Sequence, residues 1–187
     1  MKTLLYIFLC CTSLSWAQQT VTANANQIVT WQGKAAFGGY APIGTLELEQ
    51  ATLTISQEQL LNLSVVIDMT SLSQENKRLE GHLKEADFFD VQVFTQASFI
   101  VTKPINLDSE NPVLEGVMTI KGKTQTEQIA VQIERQENQI SIGFDHTLDR
   151  TAYGIVYNSP SIFKRLKENA IADAFTLKGT LIFPIAN

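Results

Sequence analysis

The sequence predicts a mainly β protein, a closed antiparallel barrel of about eight strands with one or two short helices. Apolar and polar residues alternate along most of the chain after residue 20, which is typical of strands that bury one face. The links between the alternating segments are short, and such links join antiparallel neighbours. A meander of these strands leaves two exposed edges unless the sheet closes on itself.

The strands can be placed by the positions of their apolar residues. Apolar side chains take every second position at Leu46 and Leu48, at Leu53 and Ile55, from Leu61 to Met69, from Ala97 to Val101, from Ile129 to Ile133, from Ile140 to Phe144 and from Phe175 to Phe183. Turn-forming residues separate several of these segments, at 56–59, at Gly122 and at 136–138. The pair Gly38-Gly39 indicates a bend or a close approach within a strand.

Two segments break the period of two and predict helices. Residues 73–86 predict a helix with Ser73 as its N-cap and one apolar stripe, formed by Leu72, Leu79, Leu83 and Ala86. Residues 161–169 predict a second, shorter helix whose stripe is Ile162, Phe163 and Leu166.

The first 17 residues predict a signal peptide. Lys2 supplies a positive charge, residues 4–14 form an apolar run, and Ser15-Trp16-Ala17 fits cleavage before Gln18. A membrane anchor is less favoured, because the run is about half the ~20 residues that span a bilayer. A lipoprotein site at Cys10 or Cys11 lacks the usual Leu-small-small residues before it. We therefore expect residues 18–187 to form one domain, periplasmic or secreted, with no thiol after cleavage.

Composition argues against several functional classes. The net charge is −5 and the chain has no basic stretch, so nucleic-acid binding is not expected. The two histidines, His82 and His146, lack the spacing of metal ligands, and the sequence has no GxSxG, GxGxxG or P-loop motif. We therefore predict no metal, cofactor or catalytic residue.

The remaining polar residues have structural interpretations. His82 is expected to bridge the first helix and the barrel through polar contacts. An Asp next to Arg in the segment from Asp145 to Arg150 is expected to form a structural ion pair at a strand end.

Asp87-Phe88-Phe89-Asp90 follows the first predicted helix. One interpretation is an exit loop that the phenylalanines anchor to the barrel. The other places Phe88 and Phe89 at the mouth of an apolar cavity, where aromatic surface favours lipid. Both remain open from the residues alone.

Several segments together resemble the YceI-like family. They are Ile67-Asp68-Met69-Thr70-Ser71-Leu72, the block from His82 to Val91, Ala97-Ser98-Phe99, the block from Glu115 to Gly122, and the block from Leu148 to Ile155. The resemblance covers residues 26–185, and the HL-three-residue-DFFD and DRT-two-residue-GI blocks are its most specific parts.

The resemblance implies a lipocalin-like barrel that binds polyisoprenoid or related amphiphilic lipids, with export to the periplasm and no catalytic activity. The residues that match the family's blocks are His82, Asp87, Phe88, Phe89 and Asp90, then Asp149, Arg150 and Gly154. The sequence departs from the family at 40–44, where many relatives carry a His shortly before a Gly. The resemblance therefore implies no polar contact with a head group at that position.

We predict an exported lipid-binding protein that holds an isoprenoid or similar apolar lipid, such as a quinone or a prenyl phosphate. Its predicted ligand-binding residues are Leu63, Val65, Ile67, Leu83, Phe88, Phe89, Phe99, Val117, Ile142 and Phe144. The strand parity that faces inward is left open, as are a homodimer and transient membrane contact. The alternatives are a hydrolase or isomerase acting on a lipid in the same cavity, and a stress or interaction protein with a filled core.

Overall fold

The computed structural model describes residues 18–24, 27–166 and 169–185. In chain order these residues form the strands β1 (Gln19–Thr22), β2 (Ile28–Gln32), β3 (Ile43–Ser56), β4 (Gln59–Gln74), β5 (Gln96–Val101), β6 (Ile105–Asn106), β7 (Val113–Ile120), β8 (Lys123–Arg135), β9 (Gln139–Asp149) and β10 (Ala174–Pro184). They also form one α-helix, α1 (Lys77–Lys84), and a 3₁₀ turn at Arg150–Tyr153. The predicted signal peptide at 1–17, with Cys10 and Cys11, lies outside the described residues.

Eight of the strands close into an antiparallel barrel, as the sequence predicts. Around the wall the order is β3, β2, β10, β9, β8, β7, β5 and β4, and the β3–β4 hairpin closes the ring. The short strands β1 and β6 extend the ladders on β3 and β4. Closure removes the sheet edges that an open meander would expose.

Tight turns fix the register of the two-residue hairpins. Gln57, with φ 53°, turns β3 into β4, where Ser56 pairs with Gln59. Lys121 and Gly122, with φ 50° and 69°, turn β7 into β8, where Ile120 pairs with Lys123. In the second hairpin, positive φ at both Lys121 and Gly122 matches the right-handed twist of the flanking strands.

The two ends of the barrel differ. The packed end carries the turns at 57–58 and 136–138 and the connection 102–112, and large apolar side chains fill it. Leu53, Leu60, Ile140 and Phe183 are all fully buried there. The open end carries the connections 33–42, 75–95, 150–166 and 169–173, together with α1. The loops and the helix that can cover a ligand therefore lie at the open end of the barrel.

Helix α1 begins later than the sequence predicts. Strand β4 continues to Gln74, and Ser73 pairs with Thr45 in the β3–β4 ladder, so Ser73 is not the N-cap. Asn76 caps the helix instead, since its Oδ1 accepts hydrogen bonds from the backbone N–H groups of Arg78 at 3.0 Å and Leu79 at 3.3 Å. Ladder pairing outweighed the local capping preference of serine.

The second predicted helix is not seen in the described part of its range. Residues 161–166 form isolated turns, and residues 167–168 lie outside the described residues. The backbone N–H of Phe163 donates to Ser159 O at 2.9 Å, and that of Ile171 donates to Asn158 O at 2.9 Å. The bonds of 161–166 are thus local turns, and the connection 169–173 is bonded at Asn158, just before this range.

One stretch of the wall lacks a backbone ladder. Within the described strands, β8 and β9 pair only where Val131–Arg135 lies opposite Ile140–Phe144. Toward the open end, the first half of β8 pairs with β7 and the last part of β9 pairs with β10. We call this gap, between residues 123–130 and 145–149, the β8–β9 seam.

None of the helices in the described ranges is both long and apolar enough to span a bilayer.

Candidate ligand-binding site

The open half of the barrel encloses an apolar cavity of about 230 Å³. An apolar cavity of ~150 Å³ stays dry and holds benzene, so this space accommodates a larger apolar group. The wall side chains that line it are Val29, Trp31, Leu46, Leu63, Val65, Ile67, Met69, Leu72, Ala97, Phe99, Leu114, Met118, Ile120, Ile129, Val131, Ile142, Phe144, Phe175, Leu177 and Leu181. The interior is therefore hollow at one end and is not a filled core.

The structure brings nine of the ten predicted ligand-binding residues to this cavity. They are Leu63, Val65, Ile67, Leu83, Phe88, Phe89, Phe99, Ile142 and Phe144. Their contact with a ligand remains a prediction.

Val117 is the exception, and its predicted position in the cavity wall is wrong. In β7 the buried parity is Leu114, Gly116, Met118 and Ile120, so Val117 lies on the outer face beside Ile100. Strand β7 has apolar residues on both parities, which is why its inward face is ambiguous in the sequence.

Helix α1 and the loop after it cover the cavity. Leu79 and Leu83 of the helix line it together with Phe88 and Phe89. Phe88 is buried, and Phe89 lies edge-on to Phe175 of β10 with ring centroids 6.5 Å apart. The two interpretations of this loop are thus compatible, because the same rings anchor it and line the cavity.

His82 lies in an aromatic cluster. Its ring centroid is 5.0 Å from that of Phe88 and 4.8 Å from that of Tyr157, both in edge-on geometry. Phe88 and Tyr157 are 5.4 Å apart. The structure therefore shows aromatic packing at His82, where the sequence predicts a polar bridge to the barrel.

Three glycines on the barrel wall sit against aromatic rings of the neighbouring strand. Gly44 lies opposite Trp31, and a Cβ at Gly44 would clash with the Trp31 indole and with the backbone oxygen of Ser73. A Cβ at Gly116 would lie 2.6 Å from Phe99 Cζ, and one at Gly179 would lie 3.0 Å from Phe144 Cζ. Glycine lets each ring lie close to the wall, which leaves the central space open.

Trp31 also carries an unusual polar atom. Its indole Nε1 is buried and has no hydrogen-bond partner among the described residues. Buried donors are nearly always paired, and this one has almost no accessible surface, so an incoming acceptor would reach it only after the ring shifts. Trp31 is not among the predicted ligand-binding residues, although its alternation with Val29 marks both as inward-facing.

Arg150 fixes the segment that borders the cavity at β10. It is 4% exposed, and its guanidinium donates to the carbonyl oxygens of Ile155 at 2.7 Å, Ile171 at 2.8 Å and Ala172 at 3.0 Å. Burial lowers the pKa of Arg150, although the charge of Asp173 opposes this. The three carbonyls hold the connection between β9 and β10 in place.

The ion pair expected near Arg150 involves a different carboxylate. Arg150 Nη2 lies 3.4 Å from Asp173 Oδ1, whereas Asp149 caps the 3₁₀ turn through Thr151 N at 2.8 Å. Burial raises the pKa of Asp173, but hydrogen bonds from Ser159 and Ser161 and the Arg150 charge outweigh it, so the pKa lies below its ordinary value. The pair is structural, as expected, with Asp173 in place of the adjacent Asp149.

Side chains bridge the β8–β9 seam. Glu127 accepts a hydrogen bond from Tyr153 Oη at 2.7 Å, and its other oxygen lies 3.1 Å from His146 Nε2. Gln125 Nε2 donates to Ala152 O at 3.0 Å. Burial, together with the bond to Glu127, raises the pKa of Tyr153. These contacts join the wall where the ladder stops.

The other carboxyl groups with shifted pKa values lie outside the cavity. A hydrogen bond from Lys77 lowers the pKa of Glu80 to about 2, and a hydrogen bond from Lys103 lowers that of Glu115. Within the described ranges, no three His, Cys, Asp or Glu side chains converge as a metal site would require.

The sequence matches the YceI-like domain family over residues 15–183. No curated protein matches it significantly.

Solved structures share the fold at low identity. Burkholderia cenocepacia BcnA is 16% identical, with a TM-score of 0.61 over 83% of this chain and 95% of that one. A polyisoprenoid binding domain from Saccharophagus degradans is 12% identical, with a TM-score of 0.66 over 88% and 98%. The Campylobacter jejuni YceI protein is 18% identical, with a TM-score of 0.56 over 68% and 74%. Since the family match spans nearly all the described residues, the chain belongs to the YceI-like family.

Proposed function

We propose that this protein binds a polyisoprenoid or similar amphiphilic lipid, such as a quinone or a prenyl phosphate, and performs no chemistry on it. The observation that carries the proposal is the apolar cavity, which opens at one end of a barrel whose other end is packed. The structural relative from Saccharophagus degradans is described as polyisoprenoid binding, which supports the same class of ligand.

The energetics favour an occupied cavity. An empty apolar space forfeits dispersion contacts along its lining, and protein interiors rarely keep such voids. A prenyl chain gains about 0.8 kcal/mol for each methylene-sized unit that leaves water. Shape and apolar area therefore suffice for affinity, without a dense set of polar contacts.

Two polar groups favour an amphiphile over a pure hydrocarbon. The Trp31 ring lines the cavity and its Nε1 is an unpaired buried donor, which a quinone or hydroxyl oxygen would reach if the ring turned toward the cavity. Lys34 borders the cavity mouth, where it can pair with a phosphate group. Both lie on the side of the mouth formed by β2 and the connection 33–42.

The proposal places the protein in the periplasm or outside the cell, after cleavage near Ala17. Its support is the leader pattern of residues 1–17. Mass measurement of the protein from its host should give a chain that starts at Gln18. A chain retaining residues 1–17 would contradict export through this signal.

Lipid binding is tested by native mass spectrometry of the protein purified from its host. We expect a co-purifying lipid, and uptake of added quinone or prenyl phosphate by delipidated protein. Val131→Trp should abolish uptake because Val131 lines the cavity, whereas Ala130→Trp, on the exposed neighbour, should not. Empty protein that takes up neither ligand would overturn the proposal.

The absence of catalysis has its own readout. Bound lipid recovered after long incubation should keep its mass and double-bond geometry. A shortened or isomerised lipid would support the enzyme alternative, and loss of that conversion in His82→Ala, with binding intact, would locate it.

A further inference from the structure

We propose that the rim of the open end docks on an anionic lipid membrane. The rim is defined here as residues 33–42 and 158–166, which border the cavity mouth and its neighbouring surface groove. The inference rests on the proposed function for its purpose, since a lipid-loaded cavity must exchange its ligand with a bilayer.

The first observation is where exposed apolar side chains lie. Of the nine large hydrophobic side chains exposed among the described residues, four lie on the rim, namely Phe37, Tyr40, Ile162 and Phe163, and two more, Ile43 and Val93, lie elsewhere at the open end. Phe37 is 61% exposed and Phe163 46%. A concentration of exposed apolar groups on one face marks an interaction site.

The second observation is how the rim holds these side chains. The backbone N–H of Ala35 donates to Tyr40 O at 2.8 Å, and Gly38 and Gly39 turn between them with φ 82° and 74°. This tight loop places Phe37 at its tip. The side chain is held outward by a closed backbone turn.

The two parts of the rim are joined by backbone hydrogen bonds. Ala36 N donates to Ala170 O at 2.9 Å, and Ala35 forms a β-bridge with Ile171. Ile171 N in turn donates to Asn158 O, next to the turn that carries Ile162 and Phe163. Phe37 and Phe163 therefore belong to one bonded framework.

The third observation is charge. The rim segments contain Lys34, Lys164 and Arg165 and no acidic residue, whereas the whole chain has a net charge of −5. Apolar side chains among basic ones, on an otherwise acidic protein, complement an anionic bilayer surface. A second copy of the chain is a poorer occupant, because two rims of like charge repel in a symmetric dimer.

The test is co-sedimentation with two kinds of vesicle, phosphatidylcholine alone and an equal mixture of phosphatidylcholine and phosphatidylglycerol. We expect binding to the mixture, weakened by salt. Phe37→Ser and Phe163→Ser should each reduce partitioning about tenfold. Lys164→Glu with Arg165→Glu should remove the preference for the anionic mixture. The control is Ile100→Ser, which removes an exposed apolar side chain from the side wall and should bind like the unchanged protein.

Failure of the unchanged protein to bind the mixture would overturn the inference, as would equal losses in Ile100→Ser and Phe37→Ser. A dimer in light scattering that Phe37→Ser dissociates, without vesicle binding, would assign the rim to a second copy instead. Uptake of a water-soluble short-chain quinone tests the cavity separately. If that uptake persists while vesicle binding is absent, the proposed function stands and the membrane inference falls.

Discussion

At the scale of single residues, the cavity depends on glycines as much as on the apolar residues that line it. Gly44, Gly116 and Gly179 each receive an aromatic ring from the adjacent strand. Their missing side chains keep Trp31, Phe99 and Phe144 against the wall. The size of the cavity therefore depends partly on the lack of a side chain at these three positions.

Gly44→Ala should destabilise the protein by about 1–3 kcal/mol, because the new methyl group meets the Trp31 ring and a backbone oxygen. The measurement is urea unfolding, with quinone uptake as a second readout. Gly143→Ala is the matched control, since its nearest neighbour would be Thr180 Oγ1 at 3.7 Å. Equal stability of the two variants would show that Trp31 can move at little cost.

Trp31→Phe tests the unpaired indole donor. It keeps a ring beside Gly44 but removes Nε1, so affinity for a quinone should fall up to about tenfold, the value of one hydrogen bond. Affinity for a hydrocarbon of equal chain length should change less. Phe144→Leu, which trims the wall without removing a donor, should weaken both ligands alike. If Trp31→Phe lowered the affinity for the quinone and for the hydrocarbon by the same factor, Nε1 would make no hydrogen bond to the quinone.

Residue-level prediction from sequence worked where a strand has one apolar parity. Leu63 and Val65 could be placed because Asn62 and Ser64 are polar. It failed at Val117, where both parities are apolar and only pairing with β5 and β8 decides the face. Arg150 was predicted to pair with an adjacent Asp at a strand end, because nothing local shows that three carbonyl oxygens converge on it.

At the scale of elements, α1 is a short helix whose position depends on its cap. Asn76→Ala should cost about 1 kcal/mol in urea unfolding, since two backbone donors lose their acceptor. Hydrogen exchange should accelerate in 77–84 before the barrel strands are affected. Asn76→Asp retains the acceptor and should restore protection. Unchanged exchange in Asn76→Ala would show that packing of Leu79 and Leu83 alone holds the helix.

The elements most easily predicted were those whose pattern agrees with their neighbours. The alternating segments became strands and the polar links became turns. The start of α1 was misplaced because Ser73 satisfies a helix cap locally, while β3 offers it a ladder partner that no short window of sequence reveals. Residues 161–166 form local turns on Ser159 in place of the predicted helix, and the connection 169–173 is bonded at Asn158, just before them.

At the scale of the whole molecule, the Asp173 carboxylate, which lies at the open end, contributes to the free energy of unfolding. Its lowered pKa means that folding favours the carboxylate, so this stabilisation is complete above the ordinary value of 3.8 and is lost as pH falls through the lower folded value. Asp173→Asn should therefore lower stability near neutral pH by about 1 kcal/mol, with the difference narrowing in acid.

Thermal unfolding from pH 7 down to pH 2 measures this effect. Asp145→Asn is the control, because its pair with Lys178 is 3.5 Å long and exposed and should contribute little at any pH. If the unfolding temperatures of Asp173→Asn and the unchanged protein differed by the same amount at every pH, Asp173 would not be the acid-sensitive group.

The barrel as a whole could be predicted from sequence because closure follows from strand number and short links. The contrast between a packed end and a hollow end could not. It depends on which strands reach the packed end with large side chains such as Phe183, and on which glycines leave space elsewhere. Both are properties of register, which is set by contacts between distant residues.

The β8–β9 seam has a consequence for ligand range. Side-chain bridges such as Glu127–His146 each contribute about 0.5–1.5 kcal/mol, and they can lengthen or re-form individually, unlike a continuous ladder. We therefore expect the wall to widen more easily toward the mouth than at the base. If the proposed lipid enters the cavity, we expect the seam to widen for thicker chains, so selectivity for the width of the ligand should be weaker than selectivity for its length.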